Sequence, residues 1–171
     1  FYMIYLSIDV GIKNLAYIVF NSENSTIIDW NIIELCNKDE KCSKINMIEL
    51  GKVLYNKFMD TFMQHKLDII IIENQIGKNA IRMKTIQGMI TMYFINQGYT
   101  EIYYWNACNK LKSYGLPTKT TYSERKKFSI NITKEQITEK FPEHLEFYMK
   151  HKKKDDLADC FLQLIDALNK Y

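Results

Sequence analysis

Proline and glycine are scarce, two and six among 171 residues. So little chain-breaking material excludes long linkers and low-complexity tracts, and residues 1–171 read as a single domain with its own core. The four cysteines, Cys36, Cys42, Cys108 and Cys160, form no C-x-x-C pair, and no histidine stands at zinc-finger spacing. Free thiols in a reducing, intracellular compartment are expected. No apolar run approaches the roughly 18–20 residues of a membrane span, and no cleavable signal is visible. No sequence period repeats at solenoid length. Neither sign of charge dominates: 23 Lys and Arg oppose 20 Asp and Glu, for a net +3. Their placement is uneven. Lys150, Lys152, Lys153 and Lys154 crowd one stretch, Arg125, Lys126 and Lys127 a second, and Lys78, Arg82 and Lys84 a third. Basic clusters beside acidic centres suit a polyanion held by its phosphates, although any one cluster can be plain solvated surface.

Apolar patterning predicts an α/β chain. Residues 3–10 read as a buried strand, followed by a turn over Gly11–Asn14 with positive φ expected at Gly11 and Asn14. Leu15–Phe20 and Thr26–Glu34 complete an antiparallel meander. Asn46–His65 carries apolar residues near the 3.6 period and predicts a helix. The isoleucine run within Leu67–Glu73 predicts a central strand buried on both faces. A helix over Asn79–Asn96 ends at Gln97-Gly98, and Thr100–Asn106 is a fifth strand. Residues 107–132 show no regular pattern. Thr133–Lys140 predicts a short helix with Thr133 as N-cap and Gln136 at N3. Glu143–Lys150 is another, and Asp155–Lys170 is the last. The expected architecture is a mixed five-stranded sheet, a meander followed by parallel strands, flanked by helices. That order matches the ribonuclease H-like fold.

Four carboxylates then stand where one fold would gather them. Asp9 ends the first strand, Glu73 ends the central strand, and Asp156 and Asp159 lie one turn apart on the last helix. Each has an ordinary alternative. Asp9 can be a turn acid, Glu73 can pair with Lys78 or Arg82, Asp155 can be an N-cap, and Asp156 and Asp159 can be first-turn acids favoured by the helix dipole. Together they point to chemistry, because converging carboxylates repel and call for cations. Hard oxygen ligands select Mg²⁺, with Mn²⁺ as a substitute. Two such ions per site can bind a scissile phosphate, activate water and steady the leaving oxygen. Asp9 would bridge the ions, and Lys153 or Lys154 would meet a phosphate oxygen or the charge that develops in the transition state.

Three motifs carry a family resemblance. Ser7-Ile8-Asp9-Val10-Gly11-Ile12-Lys13-Asn14-Leu15-Ala16 resembles the opening strand-turn of RuvC-like Holliday junction resolvases. Ile72-Glu73-Asn74-Gln75, with Lys78-Asn79-Ala80 after it, is similar to their second acidic motif. Lys153-Lys154-Asp155-Asp156-Leu157-Ala158-Asp159 resembles the start of their last helix, above all in the mitochondrial and poxvirus branches. The resemblance implies Asp9, Glu73, Asp156 and Asp159 as catalytic metal ligands; Lys154 is the candidate catalytic cation beside them. It implies a Mg²⁺-dependent homodimer that makes paired cuts in four-way DNA junctions, with no small-molecule cofactor and no membrane. In a virus this would serve concatemer resolution, in the cytoplasm of the infected cell at replication sites, with the virion as a second location. Two acids, Asp155 and Asp156, stand where the pattern needs one. The i, i+3 spacing to Asp159 favours Asp156, and Asp155 at i, i+4 stays open.

Paired cuts on a two-fold junction suit a symmetric dimer. Its interface is expected on the Asn79–Asn96 helix, where Ile81, Ile86, Met89, Ile90, Met92 and Phe94 exceed one face. Lys78, Arg82 and Lys84, with Arg125, Lys126 and Lys127, are expected to grip DNA arms away from the cut, and Lys152 and Lys153 to bind DNA near it. Recognition would be by shape and backbone. Three competing functions remain: a ribonuclease H-type nuclease on RNA–DNA hybrids, an actin-like ATP-binding module, and an inactive junction binder. Six glycines hardly allow the second phosphate loop that the ATP module needs.

Overall fold

Isoleucines 69–72 form a strand buried on both faces, and the rest of the fold is arranged around it. The structure, a computed structural model, describes residues 3–77, 80–106, 108, 110–111, 114–115 and 119–170. Its strands are β1 (Ile4–Asp9), β2 (Asn14–Asn21), β3 (Thr26–Glu34), β4 (Ile69–Glu73) and β5 (Ile102–Trp105). Its helices are α1 (Met47–Phe62), α2 (Ile81–Asn96), α3 (Tyr122–Lys140), α4 (Leu145–Lys150) and α5 (Lys154–Leu168). The sheet order is β3-β2-β1-β4-β5. β1, β2 and β3 pair antiparallel, whereas β4 is parallel to both β1 and β5. The predicted mixed sheet is present, with β1 and β4 adjacent at its centre.

Side-chain alternation splits the core in two. Leu6, Ile8, Ile70 and Ile72 face α1 and α2 and join Leu54, Phe58, Ile86, Ile90 and Phe94 in one cluster. Tyr5, Ile69 and Ile71 face the opposite way and join Ile137 of α3 with Leu157, Phe161 and Leu164 of α5. Full burial of each large apolar side chain contributes roughly 1.5–3 kcal/mol. Asp9 and Glu73 continue the α5 face, which fixes the side of the sheet on which any site must lie.

α5 is held to the sheet by polar contacts as well. Gln163, wholly buried, donates from Nε2 to Ser7 Oγ at 3.1 Å and to the Ile8 carbonyl at 3.0 Å. Ser7 Oγ in turn donates to the Cys160 carbonyl at 2.9 Å. The Trp30 indole donates to the Leu157 carbonyl at 3.3 Å near the start of α5. The Trp105 indole donates to Asp166 Oδ2 at 2.7 Å near its end. Lys170 lies 4.4 Å over the Trp105 ring.

The structure departs from the sequence reading in three places. Helix α3 starts at Tyr122, not Thr133; Thr121 and Glu124 form a capping box, and Thr133 is buried in mid-helix. Lys153, not Asp155, is the residue before α5, and its side chain does not cap that helix. Neither Gly11 nor Asn14 has a positive φ. Gly11 is required instead because a Cβ there would stand 1.8 Å from the Asn14 carbonyl oxygen. Asn79, the expected start of α2, lies outside the described residues, and among those described α2 begins at Ile81. Among the described residues no helix is long and apolar enough to cross a membrane.

Candidate active site

β1 and β4 run parallel with Ile8 level with Ile72. The next residues, Asp9 and Glu73, therefore end adjacent strands on the α5 face. Gln163 and Ser7 pull α5 across β1 one turn beyond Asp159. Asp159 is thereby brought over the same strand ends.

A lysine lies among these acids. Lys110 Nζ is 3.2 Å from Asp159 Oδ1, 3.5 Å from Glu73 Oε1 and 3.9 Å from Asp9 Oδ1. Its side chain is only 7% exposed. Burial alone would push the Lys110 ammonium down, but the three carboxylates outweigh it and hold it above its ordinary value. Burial raises the Asp9 carboxyl well above its usual range; Glu73 adds to the rise and Lys110 opposes it. Burial raises Asp159 too, against the pull of Lys110. Glu73 also accepts from Gln75 Nε2 at 2.7 Å.

The two acids in the first turn of α5, Asp155 and Asp156, stand at the rim. Asp156 is raised by burial and then by its neighbour Asp155, and its nearest cation is Lys153 at 3.9 Å. Asp155 is paired with Lys126 of α3. Burial would raise the Asp155 carboxyl, but Lys126 more than reverses this and holds it below the usual range. A cavity of about 780 Å³ opens over the group, lined by Asp9, Glu73, Lys110, Asp155, Asp156 and Asp159 on one side. Tyr122, Arg125, Lys126 and Ser129 of α3 form the other.

The basic residues are redistributed relative to expectation. Lys154, expected at the chemistry, donates instead to the His151 carbonyl at 3.1 Å, because the first residue of α5 points back toward the preceding turn. Among the described residues, Lys110 is the cation at the carboxylates. Arg125 and Lys126, expected to grip away from the cut, line the acid cavity, since residues 122–132 are helical rather than irregular. Lys127 is exposed and does not line that cavity. Arg82 is turned inward: its guanidinium donates to the Ile45 carbonyl and ties α2 to the segment before α1. Lys84, Lys152 and Lys153 are exposed. Lys78 lies outside the described residues.

Sequence reasoning missed Lys110, Gln163 and Ser7 as site-building residues. Lys110 follows β5, the neighbour of the strand that bears Glu73, and that position is the one signal available for it. Among the described residues no three His, Cys, Asp or Glu side chains close around one point at metal-ligand spacing. Asp9, Glu73 and Asp159 surround an ammonium instead. Three hard carboxylates around one buried positive charge are a donor set that fits Mg²⁺ or Mn²⁺, and Lys110 Nζ marks a point where cationic charge is favoured.

Comparison with known proteins gives the family and the fold. The family model described as "Poxvirus A22 protein" matches residues 3–170. The Holliday junction resolvase of fowlpox virus (strain NVSL) is 28% identical over 165 residues, which span 93% of this chain and 88% of that protein. The crystal structure of the fowlpox virus Holliday junction resolvase superposes with a TM-score of 0.70 at 24% identity, covering 99% of this chain and 100% of the other. RuvC of Thermus thermophilus in complex with Holliday junction substrate gives 0.63 at 12% identity, covering 98% and 96%. The yeast mitochondrial Holliday junction resolvase Ydc2 gives 0.63 at 22% identity, covering 95% and 77%. The shared fold is the RuvC-like, ribonuclease H-type sheet expected from the order of elements.

Proposed function

Because the chain belongs to the poxvirus A22 protein family, we propose that it is a structure-selective endodeoxyribonuclease that resolves four-way DNA junctions. The observation that carries this reading is the meeting of Asp9, Glu73 and Asp159 on one buried ammonium, beneath a cavity whose far wall is basic. A membrane-independent role in viral concatemer resolution, in the cytoplasm of the infected cell, goes with it.

Asp9, Glu73, Asp156 and Asp159 would hold Mg²⁺, two ions per site, with Mn²⁺ able to substitute. Bound there, the ions would supply the Lewis acidity that polarises a scissile phosphate and makes water a nucleophile at neutral pH. Lys110 supplies the counter-charge that lets three buried acids coexist. Arg125 faces the same cavity and holds the cut strand by its phosphates, while Lys126 is engaged by Asp155. Lys78, Lys84, Lys127, Lys152 and Lys153 contact the flanking arms. Arg82 is set aside because its guanidinium is engaged at Ile45.

Two opposed cuts require two such sites on a symmetric body. α2 offers an outward stripe for this. Ile81, Met92 and Ile95 are 71%, 59% and 51% exposed, and with Thr85 and Gly88 they fall at alternating spacings of four and three.

The test is cleavage of an end-labelled four-way junction beside a matched RNA–DNA hybrid, with Mg²⁺ and with EDTA. Paired cuts in the junction that vanish in EDTA are expected, and Asp9→Asn should abolish cutting while retaining junction binding. Selective cleavage of the hybrid would replace this reading with a ribonuclease H-type activity.

A further inference from the structure

Two adjacent acids open α5, and the sequence pattern has room for one. The structure gives them different surroundings. The Asp155 carboxylate, 20% exposed, pairs with Lys126, whose ammonium also lies 4.9 Å over the Tyr122 ring. Asp156 lies 3.9 Å from the half-exposed Lys153. Lys126 is therefore fixed from two sides, and Asp155 is committed across to α3.

The helix at the other end of this bridge is well anchored. The Thr121–Glu124 capping box fixes the first turn of α3, and Lys126 lies one turn further on. Deeper in, Ile137 of α3 and Phe161 of α5 share the apolar cluster. At the cavity end the Lys126–Asp155 bridge joins the two helices. Arg125 and Tyr122, which face the acids across the cavity, are carried by that same turn of α3.

We propose that Asp155 and Lys126 are a positioning couple that sets the gap between α3 and the start of α5. The couple leaves Asp156 and Asp159 as the acids of α5 open to a cation. Asp155 then touches neither metal nor substrate. It acts through Lys126 by holding the basic wall at a fixed distance from the acids. This rests on the nuclease reading above and refines it, since it separates the two adjacent acids by role.

The experiment uses the full chain, Mn²⁺ binding by calorimetry and single-junction cleavage kinetics. Asp155→Asn should leave the Mn²⁺ dissociation constant within about twofold, while Asp156→Asn weakens it about tenfold or more. Asp155→Asn and Lys126→Met should each raise KM for the junction about fivefold or more, with kcat changed less than KM. Combining Lys126→Asp with Asp155→Lys should restore KM, although residue 126 could then no longer attract a phosphate. A lowered melting temperature with KM unchanged would mean the bridge is structural only and would overturn the proposal. So would an Asp155→Asn variant that loses Mn²⁺ affinity as Asp156→Asn does, or a swapped pair that fails to rescue. Asp9→Asn serves as the independent arm. If it too leaves Mn²⁺ binding unchanged, the nuclease reading of the cavity fails, separately from the fate of the couple.

Discussion

Lys110 and Asp9 carry opposite liabilities in the absence of a divalent ion. Removing the ammonium by Lys110→Met leaves Asp9, Glu73 and Asp159 facing one another in a buried place. At neutral pH without added metal, thermal melts should show a loss of about 3 kcal/mol, the usual cost of breaking a buried pair from one side. Added Mg²⁺ should recover more stability in this variant than in the parent. Asp9 behaves in the reverse sense. Its carboxyl is raised in the fold, by burial and then by Glu73. A raised acid stabilises the fold while protonated, so that stability is present below the unfolded-chain value near 4 and is lost as pH rises through the folded value. Asp9→Asn removes this penalty and keeps the two shorter contacts of Lys110. In EDTA at neutral pH it should melt about 2–4 °C higher, the shift of about 1 kcal/mol in a chain of this size. The gain should shrink as pH falls toward 4, and a pH-independent difference would contradict the assignment. The acids were legible in the sequence because strand ends and an i, i+3 pair are local patterns. Lys110 was not, because its role depends on which strand neighbours β5, a fact of topology rather than of spacing.

α3 and α5 show how the same local signals can mislead or be hidden. Thr-x-x-Glu at Thr121–Glu124 and Thr-x-x-Gln at Thr133–Gln136 are rival helix starts, and only the first is used. The stretch between them, from Ser123 to Asn131, is too polar and too weakly amphipathic to declare a helix before its neighbours are known. Thr121→Ala should cost about 1 kcal/mol in chemical denaturation. Because the lost turn carries Tyr122 and Arg125, it should also weaken junction binding. On α5, Gln163 continues the stripe of Asp156 and Asp159, the acids that line the cavity. Gln163 is instead wholly buried and bonded to Ser7 and Ile8. Gln163→Leu strips Ser7 and the Ile8 carbonyl of a donor. It should destabilise by about 1–3 kcal/mol and lower cleavage further than that loss explains, since Asp159 lies one turn away. Cleavage that falls only in proportion to the folded fraction would remove Gln163 from the site's support.

For the molecule as a whole, the order of elements was readable because the meander and the later α-β alternation leave few permitted topologies. The exposed stripe of α2 was readable only in part: the sequence shows an excess of apolar residues, and the structure sorts Ile86, Ile90 and Phe94 inward and Ile81, Met92 and Ile95 outward. Met92→Glu should convert a dimer to a monomer in sedimentation velocity with no change in the circular dichroism of the fold. It should also uncouple the two cuts in a cruciform plasmid, giving nicked rather than linear product. A parent chain that sediments as a monomer at micromolar concentration would remove α2 from this role.

The indoles of Trp30 and Trp105 attach to opposite ends of α5, one to the Leu157 carbonyl beside the acids and the other to the Asp166 carboxylate at the far end. They are the chain's two tryptophans. Each end of the helix that bears Asp156 and Asp159 thus has its own intrinsic emission signal. Replacing one ring by phenylalanine would let the other be followed alone, so that a rigid shift of the rod and fraying of its first turn become optically distinct events.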